Sequence, residues 1–301
     1  MKVFGNPVKR CAAVHDLSCF GHTSLMAAIP ILNVMGIQVS PLPTALLSSH
    51  TQVEGYTFLD LTEEMYRIAC HWQELNLRFD AIYSGFLGSH QQVSIVEELI
   101  RWQREFNPLV VVDPVLGDNG SLYATVDGAL VEAMRMLVQQ ADVITPNITE
   151  LCYLLDVCPH DYSDEWELLD DIRKVSRGGP EIVIVTSVPD YSHSGSTAVV
   201  GYYRDDDRFW KVPCNYLPGA FPGTGDAFAS VVTGSLLQGD SLPIAMDRAV
   251  HFATMGVRAI FGYHESNAAG IYLERVLPTL LGTGQMGSYE LIPEERNSRD
   301  A

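Results

Sequence analysis

The chain has 301 residues, 47% of them hydrophobic and 19% charged, which is enough apolar material for a large core and unlike a disordered or fibrous protein. Its 19 Lys+Arg stand against 37 Asp+Glu, a formal net charge of −18, and no basic cluster interrupts the deficit, so nucleic acid and anionic membranes are poor partners. No run approaches the roughly 20 apolar residues of a membrane span, and the apolar stretch after Lys9 and Arg10 is broken by His15 and Asp16, unlike a secretory leader. The six cysteines, Cys11, Cys19, Cys70, Cys152, Cys158 and Cys214, lack any paired metal spacing. That predicts free, mostly buried thiols in a reducing cytoplasm.

In chain order, residues 11–14 read as a buried strand closed by a polar turn, His15-Asp16-Leu17-Ser18. A helix follows over 23–35, with Leu25, Ala28, Ile29, Leu32 and Met35 on one face, and Gly36 ends it. A second strand, 37–40, runs into Pro41-Leu42-Pro43; prolines suit an edge, so the region up to Ser49-His50-Thr51-Gln52 is expected to stand off the main sheet. Helices are predicted over 62–75, 91–106, 127–140 and 163–178, and strands over 81–84, 109–112, 143–145 and 181–187. The alternation argues for a parallel sheet with right-handed crossovers, and neither a repeat nor a linker divides the chain, so 1–301 reads as one domain. Strands 196–203 and 208–213 pair around the charged turn Arg204-Asp205-Asp206-Asp207 as a hairpin on the C-terminal side. Residues 214–221 are placed to act as a lid, helices over 242–261 and 270–281 close the domain, and the tail 290–301 reads as frayed.

The chemistry gathers at strand ends. Asp113 and Asp118 flank Pro114-Val115-Leu116-Gly117 after the strand at 109–112, where open α/β sheets collect ligands, and both are metal candidates; Asp118-Asn119-Gly120 is also turn chemistry in its own right. Asn147 and Glu150 have the spacing of a capping box, which leaves Glu150 free to order water around a metal ion as well. In Phe221-Pro222-Gly223-Thr224-Gly225-Asp226 the glycines precede an apolar helix over 227–237, so unpaired N–H groups and the helix dipole make an anion site. Asp226 is then either a cap or a general base beside that site. With cationic side chains so scarce, a bound triphosphate would need Mg²⁺ and backbone N–H groups to meet its charge.

Taken in order, Gly21-His22, Pro41-Leu42-Pro43-Thr44, Ser49-His50-Thr51-Gln52, Ser84-Gly85-Phe86-Leu87-Gly88, Asp113-Pro114-Val115-Leu116-Gly117-Asp118, Thr145-Pro146-Asn147-Ile148-Thr149-Glu150 and Gly223-Thr224-Gly225-Asp226 resemble the pyridoxal kinase branch of the ribokinase-like superfamily over nearly the whole chain. The resemblance implies a three-layer α/β/α fold with a central, mostly parallel sheet. It implies ATP-dependent phosphorylation of the 5′-hydroxymethyl group of pyridoxal, pyridoxamine or pyridoxine, with Mg²⁺, a monovalent cation as a further candidate ion, and a homodimer formed through the region around 40–58. Asp226 matches the base, and Gly223, Thr224 and Gly225 match the anion hole. Asp113, Asn147, Glu150 and Thr186, with Ser187 beside it, match nucleotide-side positions, and Asp113, Asp118 and Glu150 the metal side. Asp16, His50, Thr51, Gln52 and Phe86 match the substrate side. Many relatives have serine where this chain has Asp16, and often tyrosine where it has Phe86. A hydroxymethylpyrimidine kinase and a non-catalytic vitamin- or nucleotide-binding protein remain as other readings.

Overall fold

The computed structural model describes residues 7–160, 162–191, 196–214, 221–260, 269–282 and 288–292. Strand β1 (Arg10–Ser18) leads into α1 (Leu25–Val34), β2 (Gln38–Leu47), β3 (Phe58–Asp60) and α2 (Thr62–Glu74). The chain continues through β4 (Ala81–Ser84), α3 (His90–Gln103), β5 (Leu109–Val112), the small ribbon β6 (Gly117–Asp118) and β7 (Ser121–Leu122), then α4 (Gly128–Val138), β8 (Val143–Ile144), α5 (Ile148–Leu154) and α6 (Glu165–Arg177). Next come β9 (Ile182–Pro189), β10 (Thr197–Tyr203), β11 (Arg208–Cys214), α7 (Thr224–Gln238), α8 (Leu242–Ile260), α9 (Leu273–Val276) and β12 (Glu290–Ile292).

The main sheet has ten strands in the order β12-β11-β10-β9-β8-β5-β4-β1-β2-β3. From β9 to β2 every neighbouring pair is parallel, and antiparallel strands finish both edges. Apolar runs such as Leu109–Val112 form central strands because both faces are covered: Val110 and Val112 pack with the helices α2 to α6, while Val111 packs with α1, α7 and α8. The result is the three-layer α/β/α arrangement implied by the resemblance, with the predicted hairpin as β10 and β11. The chain leaves β1 toward β2 on one side and returns to β4 on the other. A crevice therefore opens at the carboxyl ends of β1 and β4, the usual ligand position of such sheets.

Five expectations need correcting. The polar residues 15–18 continue β1 and do not form a turn. His15 is buried edge-on against Tyr83, ring centroids 4.3 Å apart, and burial pushes its pKa down to about 3, so it packs as a neutral ring. The segment with Pro41 and Pro43 does not stand off the sheet: β2 spans ten residues, and its proline-bearing half is an open edge because β3 pairs only with Ala45 to Leu47. Glu290–Ile292 is a strand on β11, so the tail is not frayed at its start. The predicted helix over 270–281 is a short α9 followed by a 3₁₀ turn, Leu277–Leu281, entered at Pro278, whose ring lacks the N–H that a continuing helix needs. Most of the proposed lid, 215–220, lies outside the described residues. All six thiols are free, but Cys19 and Cys158 are exposed and only Cys11 and Cys152 are fully buried.

Candidate active site

The crevice is a cleft of about 680 Å³, and every residue singled out above lines it: Asp16, His50, Thr51, Gln52 and Phe86 on one side, Asp113, Asp118, Asn147, Glu150, Thr186 and Ser187 on the other, and Gly223 to Asp226 with them. The parallel sheet explains the convergence, because Asp16, Asp113, Asn147 and Thr186 all follow from the carboxyl-end halves of neighbouring strands. Among the described residues no Lys or Arg lines the cleft.

The glycine loop is fixed tightly. Helix α7 starts at Thr224, three residues earlier than periodicity suggests, so Gly225 and Asp226 lie in its first turn and Gly223 is its N-cap in left-handed conformation, φ 82°. A Cβ on Gly223 would sit 1.9 Å from the His22 carbonyl oxygen, which excludes any other residue. A Cβ on Gly225 meets nothing within 4 Å, so the space beside it is open to a ligand. First-turn N–H groups facing that space, with the helix dipole behind them, suit an anion.

Asp226 is partly accessible from the cleft, and its backbone carbonyl accepts from Ser230 Oγ at 2.6 Å and Tyr83 Oη at 3.4 Å. Burial raises its pKa to about 6; the charge of Asp16 adds to the rise, while the Ser24 backbone N–H opposes it. Such a value suits proton acceptance near neutrality better than a helix cap of ordinary acidity. On the substrate side Asp16 is buried, accepts hydrogen bonds from Ser24 Oγ and from Ser18 Oγ at 3.0 Å, and feels the neighbouring His50. Thr51 and Gln52 are exposed at the rim.

On the nucleotide side, Asp113 accepts from Thr145 Oγ1 at 3.0 Å, and burial together with the charge of Asp226 raises its pKa to about 7. Glu150 completes the capping box: Asn147 accepts from the Glu150 N–H and Glu150 from the Asn147 N–H, both at 2.9 Å. The other Glu150 oxygen accepts from Leu116 N–H at 3.1 Å, and burial raises the carboxyl well above its usual range. The cap is therefore real, and it ties the metal-candidate loop to α5. Asp118 is exposed and also makes the expected turn, accepting from the Asn119 N–H at 2.8 Å. Sequence reading missed Ser18, Ser24, Tyr56, Tyr123 and Thr254 among the lining residues.

The family model for phosphomethylpyrimidine kinases matches residues 26–269. A solved structure from Bacteroides thetaiotaomicron, which carries a provisional phosphomethylpyrimidine kinase name, is 54% identical, covers 96% of this chain and 100% of that one, and has a TM-score of 0.93. The chain belongs to this family, on the pyridoxal kinase branch of the ribokinase-like superfamily. The branch shows in the other relatives. Pyridoxal kinase from Lactobacillus plantarum is 30% identical over 92% of this chain and 97% of its own, with a TM-score of 0.83. A pyridoxal kinase from Pasteurella multocida is 26% identical over 244 residues, covering 78% of this chain and 83% of its own length. The Bacteroides protein was also solved in a form with pyridoxal. For a member of this kinase family, the cleft at the β1/β4 crevice is the candidate active site.

Proposed function

We propose that this chain is an ATP-dependent pyridoxal kinase that phosphorylates the 5′-hydroxymethyl group of a B6 vitamer, with Asp226 as the general base. The observation that carries the assignment is the Asp226 carboxylate, tuned to about 6 and fixed in the first turn of α7 beside the open space at Gly225. The vitamer ring lies toward Asp16, His50, Thr51, Gln52 and Phe86, and the nucleotide toward Asp113, Asn147, Thr186 and Ser187. Asp226 takes the proton of the hydroxymethyl group as its oxygen bonds to the γ-phosphorus of ATP. The bond from that phosphorus to the β–γ bridging oxygen breaks, ADP leaves, and the Gly223 to Gly225 backbone holds the charge on the transferring group.

The acidic cleft, with no Lys or Arg among its described lining residues, fits Mg²⁺. Among the described residues no group of three or more His, Cys, Asp or Glu could hold a metal ion by itself, so Mg²⁺ would be held through one or two carboxylates together with phosphates and water. Asp113 would hold it, with Asp118 nearby and Glu150 acting through water. When bound, Mg²⁺ neutralises phosphate charge. The family's phosphomethylpyrimidine name and its 54% identical member keep a hydroxymethylpyrimidine as the second substrate to test.

A cytoplasmic homodimer completes the reading. The exposed Leu46, Phe58 and Leu59 crowd the free edge at β2 and β3, an apolar strip that a second copy would cover. Among the described residues no helix is long and apolar enough to cross a membrane.

The test is Mg²⁺-dependent ADP production against pyridoxal, pyridoxamine, pyridoxine and hydroxymethylpyrimidine in parallel. Turnover on at least one B6 vitamer is expected, and turnover on hydroxymethylpyrimidine alone would move the substrate to the second reading. Turnover on none would refute the kinase assignment in favour of binding without catalysis.

A further inference from the structure

Ser24 stands at the start of α1 in the N-cap position, where a serine ordinarily turns its hydroxyl onto the helix's own N–H groups. Here it makes no such cap. Its backbone is at φ 52° and ψ −126°, a conformation that residues with a side chain rarely adopt. The hydroxyl instead donates to Asp16 Oδ1, and both residues are buried. The Ser24 backbone N–H is directed at the carboxylate of Asp226. One residue therefore touches the carboxylate on the ring side and the proposed base.

The surroundings hold that conformation in place. The His22 N–H donates to the Ala269 carbonyl at 2.9 Å, His22 Nδ1 lies 2.8 Å from the Ile271 carbonyl oxygen, and His22 Nε2 lies 3.0 Å from Glu274. The glycine loop presses on the same turn, since Gly223 leaves no room for a Cβ against the His22 carbonyl. A residue kept at unfavourable dihedrals, with its hydroxyl withheld from helix capping, is one whose contacts over-determine it.

We infer that Ser24 is a positioning residue: it holds the Asp16 carboxylate oriented toward the vitamer ring while its backbone keeps the ring side in register with Asp226. The inference rests on the proposed vitamin B6 kinase reading for its substrate, but not for its physical content. Asp16 is buried, so loss of a hydrogen bond to its charged form favours the protonated form. The ionisable groups facing Asp16 are His50, from the segment between β2 and β3, and Asp226, from α7; Asp226 in turn acts on Asp113, at the end of β5.

Two variants separate the hydroxyl from the backbone. Ser24→Ala removes the donor, and Ser24→Gly removes it while relieving the unfavourable φ. Both are expected to raise KM for the vitamer about tenfold, as for one lost hydrogen bond to a charged group, with a smaller change in kcat and in KM for ATP. In ¹³C-aspartate NMR of the full chain the Asp16 titration should move to higher pH in both variants. Ser24→Gly should unfold no earlier than the parent, which excludes misfolding as the cause.

An unchanged vitamer KM and an unmoved Asp16 titration in a folded Ser24→Gly would overturn the inference and leave Ser24 as a turn residue. If the parent turns over no vitamer, the kinase reading fails while the Asp16 titration still decides the role of Ser24.

Discussion

Replacing Asp226 with asparagine should separate activity from stability in opposite directions. Asparagine keeps the size and can still accept from the Ser24 N–H, but it cannot take a proton. Turnover should therefore fall on the order of 10²–10⁴-fold, the range for removal of a general base, with ATP affinity largely kept. The parent's kcat/KM should decline as pH falls through about 6, where Asp226 becomes protonated. The stability effect has the other sign. The folded pKa lies about two units above the ordinary 3.8, so the folded state binds the extra proton and the ionised carboxylate destabilises it. That penalty is absent below about pH 4, grows as pH rises, and is complete above about pH 6. At 1.36 kcal/mol per unit it reaches roughly 3 kcal/mol at most, less where cleft water solvates the group. Asp226→Asn should thus melt a few degrees above the parent at pH 8 and level with it near pH 4. Steady-state kinetics and calorimetry across that range check both arms. Turnover within a few-fold of the parent would refute the base assignment, and a lower melting temperature at pH 8 would refute the account of its pKa.

The two loop glycines should fail differently. Gly223→Ala places a Cβ against a backbone carbonyl at positive φ and should cost more than about 2 kcal/mol, read as a lower melting temperature together with lost activity. Gly225→Ala should fold normally and weaken turnover, because its Cβ enters only the open space beside the base; full activity would mean that no ligand group sits there. Glu150→Gln should raise the Mg²⁺ concentration needed for half-maximal rate, and an unchanged Mg²⁺ titration would leave Glu150 as a cap alone. Leu59→Lys, at the exposed apolar edge, should shift the mass measured by light scattering from two chains to one; a single chain in the parent would refute the homodimer.

The fold was legible wherever periodicity and burial agree. Leu109 to Val112 could be read as a central strand because covering on both faces leaves no polar positions, and the alternation of such runs with amphipathic helices implied the parallel sheet. Asp113 was legible for a related reason, since it follows an apolar run at the sheet edge where ligands collect; Asn147 and Thr186 came from the resemblance, and the parallel strands bring them to the same cleft. What escaped detection were places where the site itself breaks the local rules. His15, Asp16 and Ser18 look like a turn because strands covered on both faces are apolar, yet they are strand residues, and Asp16 and Ser18 line the cleft. Ser24 gave no signal, since it falls inside the helix predicted over 23–35 and its dihedrals are set by Asp16, Asp226 and the turn at His22. The short β12 depends on pairing with β11, a long-range contact that three residues cannot announce.

The absence of Lys and Arg from the described cleft lining ties together two features that might otherwise look independent. Asp16, Asp113, Asp118, Glu150 and Asp226 all face one cavity. Burial raises Asp226 and Asp113 into the range near neutrality, and with no cation in the described lining to offset it the charge of Asp16 adds to the rise of Asp226 and that of Asp226 to the rise of Asp113. The same charges repel a polyphosphate, so it can enter only where the field reverses: at the first turn of α7, whose dipole and N–H groups favour an anion, or accompanied by metal ions. A lysine in the cleft would bind phosphate more simply, but beside Asp226 it would pull the carboxylate back toward its ordinary acidity and weaken it as a base. On the proposed reading, an acidic site that leaves charge neutralisation to a metal ion and backbone N–H groups would keep Asp226 basic before the nucleotide arrives.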